Sequence, residues 1–136
     1  MTVKELSQVY DLQREINYYD RKIDELRAQR TAIQAPAFDK EPGGRGDPSH
    51  SKIEALTAEI IDLEELIRLH RQQRVVELQR LERYIAGVED PVVRQIMHLR
   101  FAELKGWQEI ADGMHYSVEA VKKRLDRSLK RTDSEE

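Results

Sequence analysis

Between Val3 and Ile33 the apolar residues fall into two interleaved rows with a seven-residue repeat: Val9, Ile16 and Ile23 in one, Leu12, Tyr19, Leu26 and Ile33 in the other. A repeat of this kind puts one apolar stripe along a helix and predicts a coiled-coil seam. Thr2 and Glu5 have the spacing of a capping box, in which hydroxyl and carboxylate each meet a backbone amide at the helix start. The predicted helix is about 45 Å long at roughly 1.5 Å per residue.

The pattern stops in QAPAFDKEPGGRGDPSH, where Pro36, Pro42, Pro48, Gly43, Gly44 and Gly46 predict a flexible loop over 34–50. The tripeptide Arg45-Gly46-Asp47 matches an integrin-recognition motif, but without a secretion signal it reads as a chance match. A second helix is expected to open at Ser51 with Glu54 as its capping partner, and to continue the heptads through Ile53, Leu56, Ile60, Leu63 and Ile67. The next apolar step, to Leu78, is eleven residues long and predicts a stutter before Leu81, Ile85 and Val88 resume. Gly87 marks the expected end.

Two long helices joined by a loop predict an antiparallel hairpin, with Ile33 near Ile53 and Val3 near the Leu81 turn. A lone hairpin buries little, so two readings stay open for its outer stripe. It pairs with a second copy in a four-helix bundle, as a homodimer, or it packs on its own C-terminal domain.

From Asp90, an expected N-cap followed by Pro91, the apolar residues Val92, Ile96 and Leu99, with Met97, Phe101 and Leu104 around them, predict a helix that runs to Lys105 and stops at Gly106. Trp107–Met114 predicts a short helix, and Ser117 caps another to about Arg131. The fold class is thus all-α: a helical hairpin over 1–89, a three-helix helix-turn-helix domain over 90–131, and an acidic tail over 132–136.

A helix-turn-helix needs a small residue where its second helix crosses the first, a tight turn, and a buried branched residue on the second helix. Ala111, the GMHY turn and Val121 stand at that spacing, with Ile110, Met114, Leu125 and Leu129 completing the core and Trp107 anchoring the first helix. His115 occupies the turn position usually taken by left-handed glycine, a conformation in which histidine is enriched among other residues; a base contact is its alternative role. Arg124 stands where such motifs usually carry an apolar residue, with Leu125 beside it. If Val121, Leu125 and Leu129 point inward, Glu119, Lys122, Lys123 and Asp126 face the major groove, while Arg124, Arg127 and Lys130 lie where phosphates pass.

Charge sharpens this picture. The chain carries 23 basic and 26 acidic side chains, a net charge of -3, so any affinity for nucleic acid must be local. Residues 91–131 hold nine Lys or Arg against five acids. A solvated basic face without a ligand is the bland alternative, and the turn and core spacing argue against it. Zero cysteines exclude disulfides and thiolate zinc sites. No His pair has metal-ligand spacing, and no cofactor is expected. No nucleophile–base pair or phosphate loop points to an enzyme. No signal-peptide or membrane-length apolar run is found, which leads us to expect a cytoplasmic protein that does not engage membranes.

The segment Val92–Leu129 resembles region four of bacterial sigma factors, the helix-turn-helix that reads the promoter -35 element. The run LRFAELKGWQEIADGMHYS with Val121 and Leu129, behind a helical hairpin, resembles phage late-gene regulators of the RinA and ArpU type. The resemblance implies that Trp107, Ile110, Ala111 and Val121 are core residues and that Ser117, Lys122 and Lys123 face DNA. The candidate DNA-binding set is Trp107, Gln108, Ser117, Glu119, Lys122, Lys123, Arg124, Asp126, Arg127 and Lys130. The expected partners are double-stranded DNA and RNA polymerase. The aromatics before residue 91, namely Tyr10, Tyr18, Tyr19, Phe38 and Tyr84, do not form the cluster with which a sigma factor melts a promoter. The expected function is therefore a phage-type transcriptional regulator, with a DNA-packaging component such as a small terminase subunit as the alternative.

Overall fold

In the computed structural model, residues 1–35 and 48–135 are described, with side chains through Arg131. Among them all regular structure is helical: α1 (Val3–Leu6), α2 (Gln8–Gln34), α3 (Pro48–Ala86), α4 (Pro91–Met97), a π-helical turn (His98–Ala102), α5 (Trp107–Met114) and α6 (Val118–Glu135). The fold is all-α, with a long helix pair followed by three shorter helices.

The Thr2–Glu5 capping box forms in both directions, each amide lying 3.2 Å from its side-chain acceptor. The single first helix expected over Val3–Ile33 is interrupted at Ser7, and the Gln8 side-chain amide donates to the Lys4 carbonyl beside the break. At the far side of the loop, α3 begins at Pro48, not at Ser51. Proline has no amide to lose in the first turn and its φ is already helical, so it opens the helix and leaves Ser51 inside it. Residues 36–47 of the expected loop, including Arg45-Gly46-Asp47, lie outside the described residues, whereas Gln34 and Pro48–His50 are helical.

The expected stutter is absent. Counting in sevens along α3 from Ile53 gives Ile60, Ile67, Arg74 and Leu81 in one row and Leu56, Leu63, His70 and Glu77 in the other. All of these residues are buried or half-buried. The heptad phase is therefore unbroken, and polar residues occupy seam positions where a search for apolar letters finds a gap. Their long side chains reach acceptors on α2: His70 meets the Glu15 carboxylate, and Arg74 donates to the Gln13 side-chain oxygen. Polar seam positions of this type specify register at a cost in stability.

The described chain divides into two compact units, Arg14–Arg71 and Met1–Gln13 with Gln72–Glu136. In the first, Ile16, Ile23 and Leu26 of α2 pack against Ile60 and Ile67 of α3, with Tyr19, Leu56 and Leu63 half-buried around them. Arg27 pairs with Glu64 at 3.3 Å and Arg30 donates to Thr57 at 3.3 Å, while Glu15 meets His70. Partners ascend one helix as they descend the other, so the pair is antiparallel. The Tyr19 ring stands edge-on to His70, with centroids 5.3 Å apart.

In the second unit, Leu6, Val9, Leu81 and Ile85 share one core with Val93, Ile96, Met97, Phe101, Ile110, Ala111, Val121, Leu125 and Leu129. The ends of the long helices belong to the same core as the helix-turn-helix, because a forty-residue domain exposes apolar surface that these four side chains cover.

Between α3 and α4 the chain turns through bonds from the Gly87 amide to the Tyr84 carbonyl and from the Val88 amide to the Ile85 carbonyl. Arg94 holds this turn by donating to the Val88 and Glu89 carbonyls at 2.7 and 3.0 Å. Asp90 caps α4 as expected, accepting from the Val92 amide at 2.9 Å, with Pro91 in the first turn. The helix expected to reach Lys105 widens instead into a π turn after Met97, closed by the Glu103 amide on the His98 carbonyl. Leu104 then takes a left-handed conformation (φ 60°), so the chain leaves the helix two residues before Gly106.

Candidate nucleic-acid interface

α5 starts without a side-chain cap at Gly106 and ends at His115, whose φ of 62° and ψ of 37° are left-handed. This is the turn role expected for His115. The Tyr116 amide donates to the Ala111 carbonyl at 3.0 Å and the His115 amide to the Asp112 carbonyl at 3.4 Å, the paired bonds of a Schellman termination. Two residues later the Ser117 hydroxyl accepts from the Ala120 amide at 3.1 Å and starts α6, which runs on to Glu135, past the expected end at Arg131.

The rotation of α6 follows from what it buries. Val121, Leu125 and Leu129 are all under 7% exposed and lie in the core with Ile110 and Ala111. Arg124, at the position usually apolar in this motif, is exposed, and Leu125 takes the buried place. At 3.6 residues per turn, the side of α6 opposite that core carries Ala120, Lys123, Arg127 and Lys130, all exposed. Glu119 and Asp126 are exposed on one flank.

The other candidates are placed by local partners. Trp107 is half-buried; the Arg100 guanidinium lies 4.4 Å from its ring centroid and the Lys122 ammonium 5.5 Å from it. Lys122 thus leans toward the start of α5 and away from the outward crest. Gln108 is exposed, with its amide donating to Asp112 at 2.8 Å. Arg124 sits 3.4 Å from the Asp90 carboxylate and 3.4 Å from the Tyr116 hydroxyl, with its guanidinium 5.9 Å from the Tyr116 ring centroid.

These contacts also redistribute the basic count. Arg94 and Arg100 serve backbone carbonyls at turns, and Lys105 pairs with Glu109 at 3.4 Å. The charge presented outward by α6 is therefore carried chiefly by Lys123, Arg127 and Lys130. Asp90 joins the capping of α4 to the placement of Arg124. Its carboxyl is held below the ordinary carboxylate range by the Val92 amide, opposed by partial burial and reinforced by the Arg124 charge. Nothing in the sequence signals the second role of Asp90, because the two residues are 34 positions apart.

No protein-family model, curated protein or solved structure matches this chain. Among the described residues no group of three or more His, Asp or Glu side chains is placed to hold a metal ion. No helix among them is long and apolar enough to cross a membrane.

Proposed function

We propose that the protein is a sequence-specific DNA-binding transcriptional regulator of the phage late-gene type, docking on duplex DNA near a promoter and acting through RNA polymerase. The observation that carries this reading is the orientation of α6. Burial of Val121, Leu125 and Leu129 turns Lys123, Arg127 and Lys130 outward from a helix capped by Ser117 and set at a left-handed turn. A helix presented this way offers its N-terminal half to base edges and its cationic length to phosphates. The similarity of Val92–Leu129 to sigma region four, and of the whole arrangement to the RinA and ArpU regulators, supports the same reading.

The hairpin supplies the second half of the proposal. Leu66 and Leu69 are exposed on α3, and Ile61 and Tyr18 are exposed in the same unit. A second copy of the chain covers them in a homodimer and presents two recognition helices to two half-sites.

In a mobility-shift assay on duplexes selected from a random library, the Lys123→Ala/Lys130→Ala double variant is expected to lose most binding. Each lysine contributes about 1–3 kcal/mol if it reads a base, and less if it meets a phosphate. Lys122→Ala, beside Trp107, is expected to lose less than Lys123→Ala. Wild-type affinity in the double variant refutes the assignment of α6. Light scattering on the same preparations tests the assembly: a dimer fits regulation, whereas a ring of many subunits turns the reading toward DNA packaging.

A further inference from the structure

The flank of α6 that carries Arg124 opens on a cleft of about 640 Å³ formed by the end of α3, the turn before α4 and α6. Four guanidinium groups line it: Arg83 from α3 and Arg124, Arg127 and Arg131 from α6. Glu89 and Asp90 also reach the lining and leave an excess of two positive charges. Arg124 is engaged by Asp90, whereas Arg83 and Arg127 have no ion-pair partner among the described residues. Tyr84 lines the same cleft. Its hydroxyl is shut off from solvent and has no hydrogen-bond partner among the described residues.

We propose that this cleft is a binding site for a phosphate group. A dianionic phosphate matches the charge excess, and its oxygens are acceptors for guanidinium donors in the planar, two-pronged geometry that arginine favours over lysine. The cleft volume is in the range of small-molecule sites. Two sources share this chemistry: a free oligophosphate, or a backbone phosphate of duplex DNA flanking the segment met by α6. Arg127 lies on both the cleft and the outward crest, so a free anion bound here competes with duplex. The duplex source rests on the function proposed above; the free-anion source does not.

The test titrates the full chain with sodium pyrophosphate at constant ionic strength, followed by amide chemical shifts and melting temperature, and in parallel measures duplex affinity against salt. The variants are Arg83→Gln and Tyr84→Phe, both away from the outward crest of α6. Saturable one-site pyrophosphate binding, weakened about tenfold by Arg83→Gln, supports a free-anion site. Tyr84→Phe is expected not to lower the ligand-free melting temperature, since it removes only an unpaired hydroxyl. Without pyrophosphate saturation, a fall of about 0.9 in the log–log salt slope for duplex in Arg83→Gln supports a backbone-phosphate site. Pyrophosphate binding that is equal in wild type and Arg83→Gln overturns the proposal, as does the absence of saturation together with unchanged duplex affinity and slope. If the wild-type chain binds no duplex, the regulator reading fails and the pyrophosphate titration alone decides the cleft.

Discussion

The two units bury their apolar residues in different ways. In Arg14–Arg71, two helices share one seam, and five residues are fully buried along it. In the unit formed by Met1–Gln13 and Gln72–Glu136, seven helical segments contribute to one core of thirteen buried residues. A two-helix seam is closed by a single facing helix, whereas side chains in the multi-helix core are enclosed by several. The hairpin unit therefore depends on repetition along its length, and the second unit on a few enclosed positions.

The largest expected effect tests that contrast directly. Ile96→Ala, at a fully enclosed position, is expected to cost about 4–5 kcal/mol, whereas Ile23→Ala in the seam is expected to cost about 2 kcal/mol. Trp107, the only tryptophan, lies in the second unit, so its fluorescence reports that unit while far-UV circular dichroism reports all helices. Ile96→Ala should shift the fluorescence midpoint strongly, and Ile23→Ala should affect dichroism more than fluorescence. Equal shifts in both signals would merge the two units into one cooperative block.

A smaller effect is expected where the α4 cap meets α6. Asp90→Ala removes the α4 cap and the Arg124 partner, at about 1 kcal/mol. Because the folded carboxyl titrates below its ordinary value, the stability it contributes is present above that value and is lost as pH falls through the lowered one. Acid titration of fluorescence should show a shallower loss in Asp90→Ala than in wild type.

The smallest effect is a gain. His115 holds a left-handed conformation that costs a side-chain residue about 1 kcal/mol, so His115→Gly should stabilise the second unit by up to that amount in urea unfolding. If His115 instead contacts a base, the same variant binds duplex less tightly.

Much of the architecture was legible in the letters. Thr2 with Glu5, Asp90 with Pro91, and Ser117 are caps whose partners lie within three residues, so spacing alone identifies them. His115 was legible because the turn demands a left-handed residue and few side chains tolerate it. The seam at His70 and Arg74 was not, because apolar patterning overlooks polar residues whose side chains find acceptors on the facing helix. The π turn and left-handed Leu104 carry no local signature either: neither glycine nor proline marks them. In the candidate interface, the place of Lys122 beside Trp107 and of Arg124 beside Asp90 depends on side chains brought together from different helices.

By itself the sequence determined helix content, the caps at Thr2, Asp90 and Ser117 and the left-handed turn, since each follows from steric rules or periodicity within a few turns of chain. Only the tertiary structure decided that Leu6, Val9, Leu81 and Ile85 share the core of α4, α5 and α6, and that Arg83 and Tyr84 stand with the arginines of α6. Those groupings join residues tens of positions apart, where enclosure of apolar surface, not local preference, sets which side chains meet.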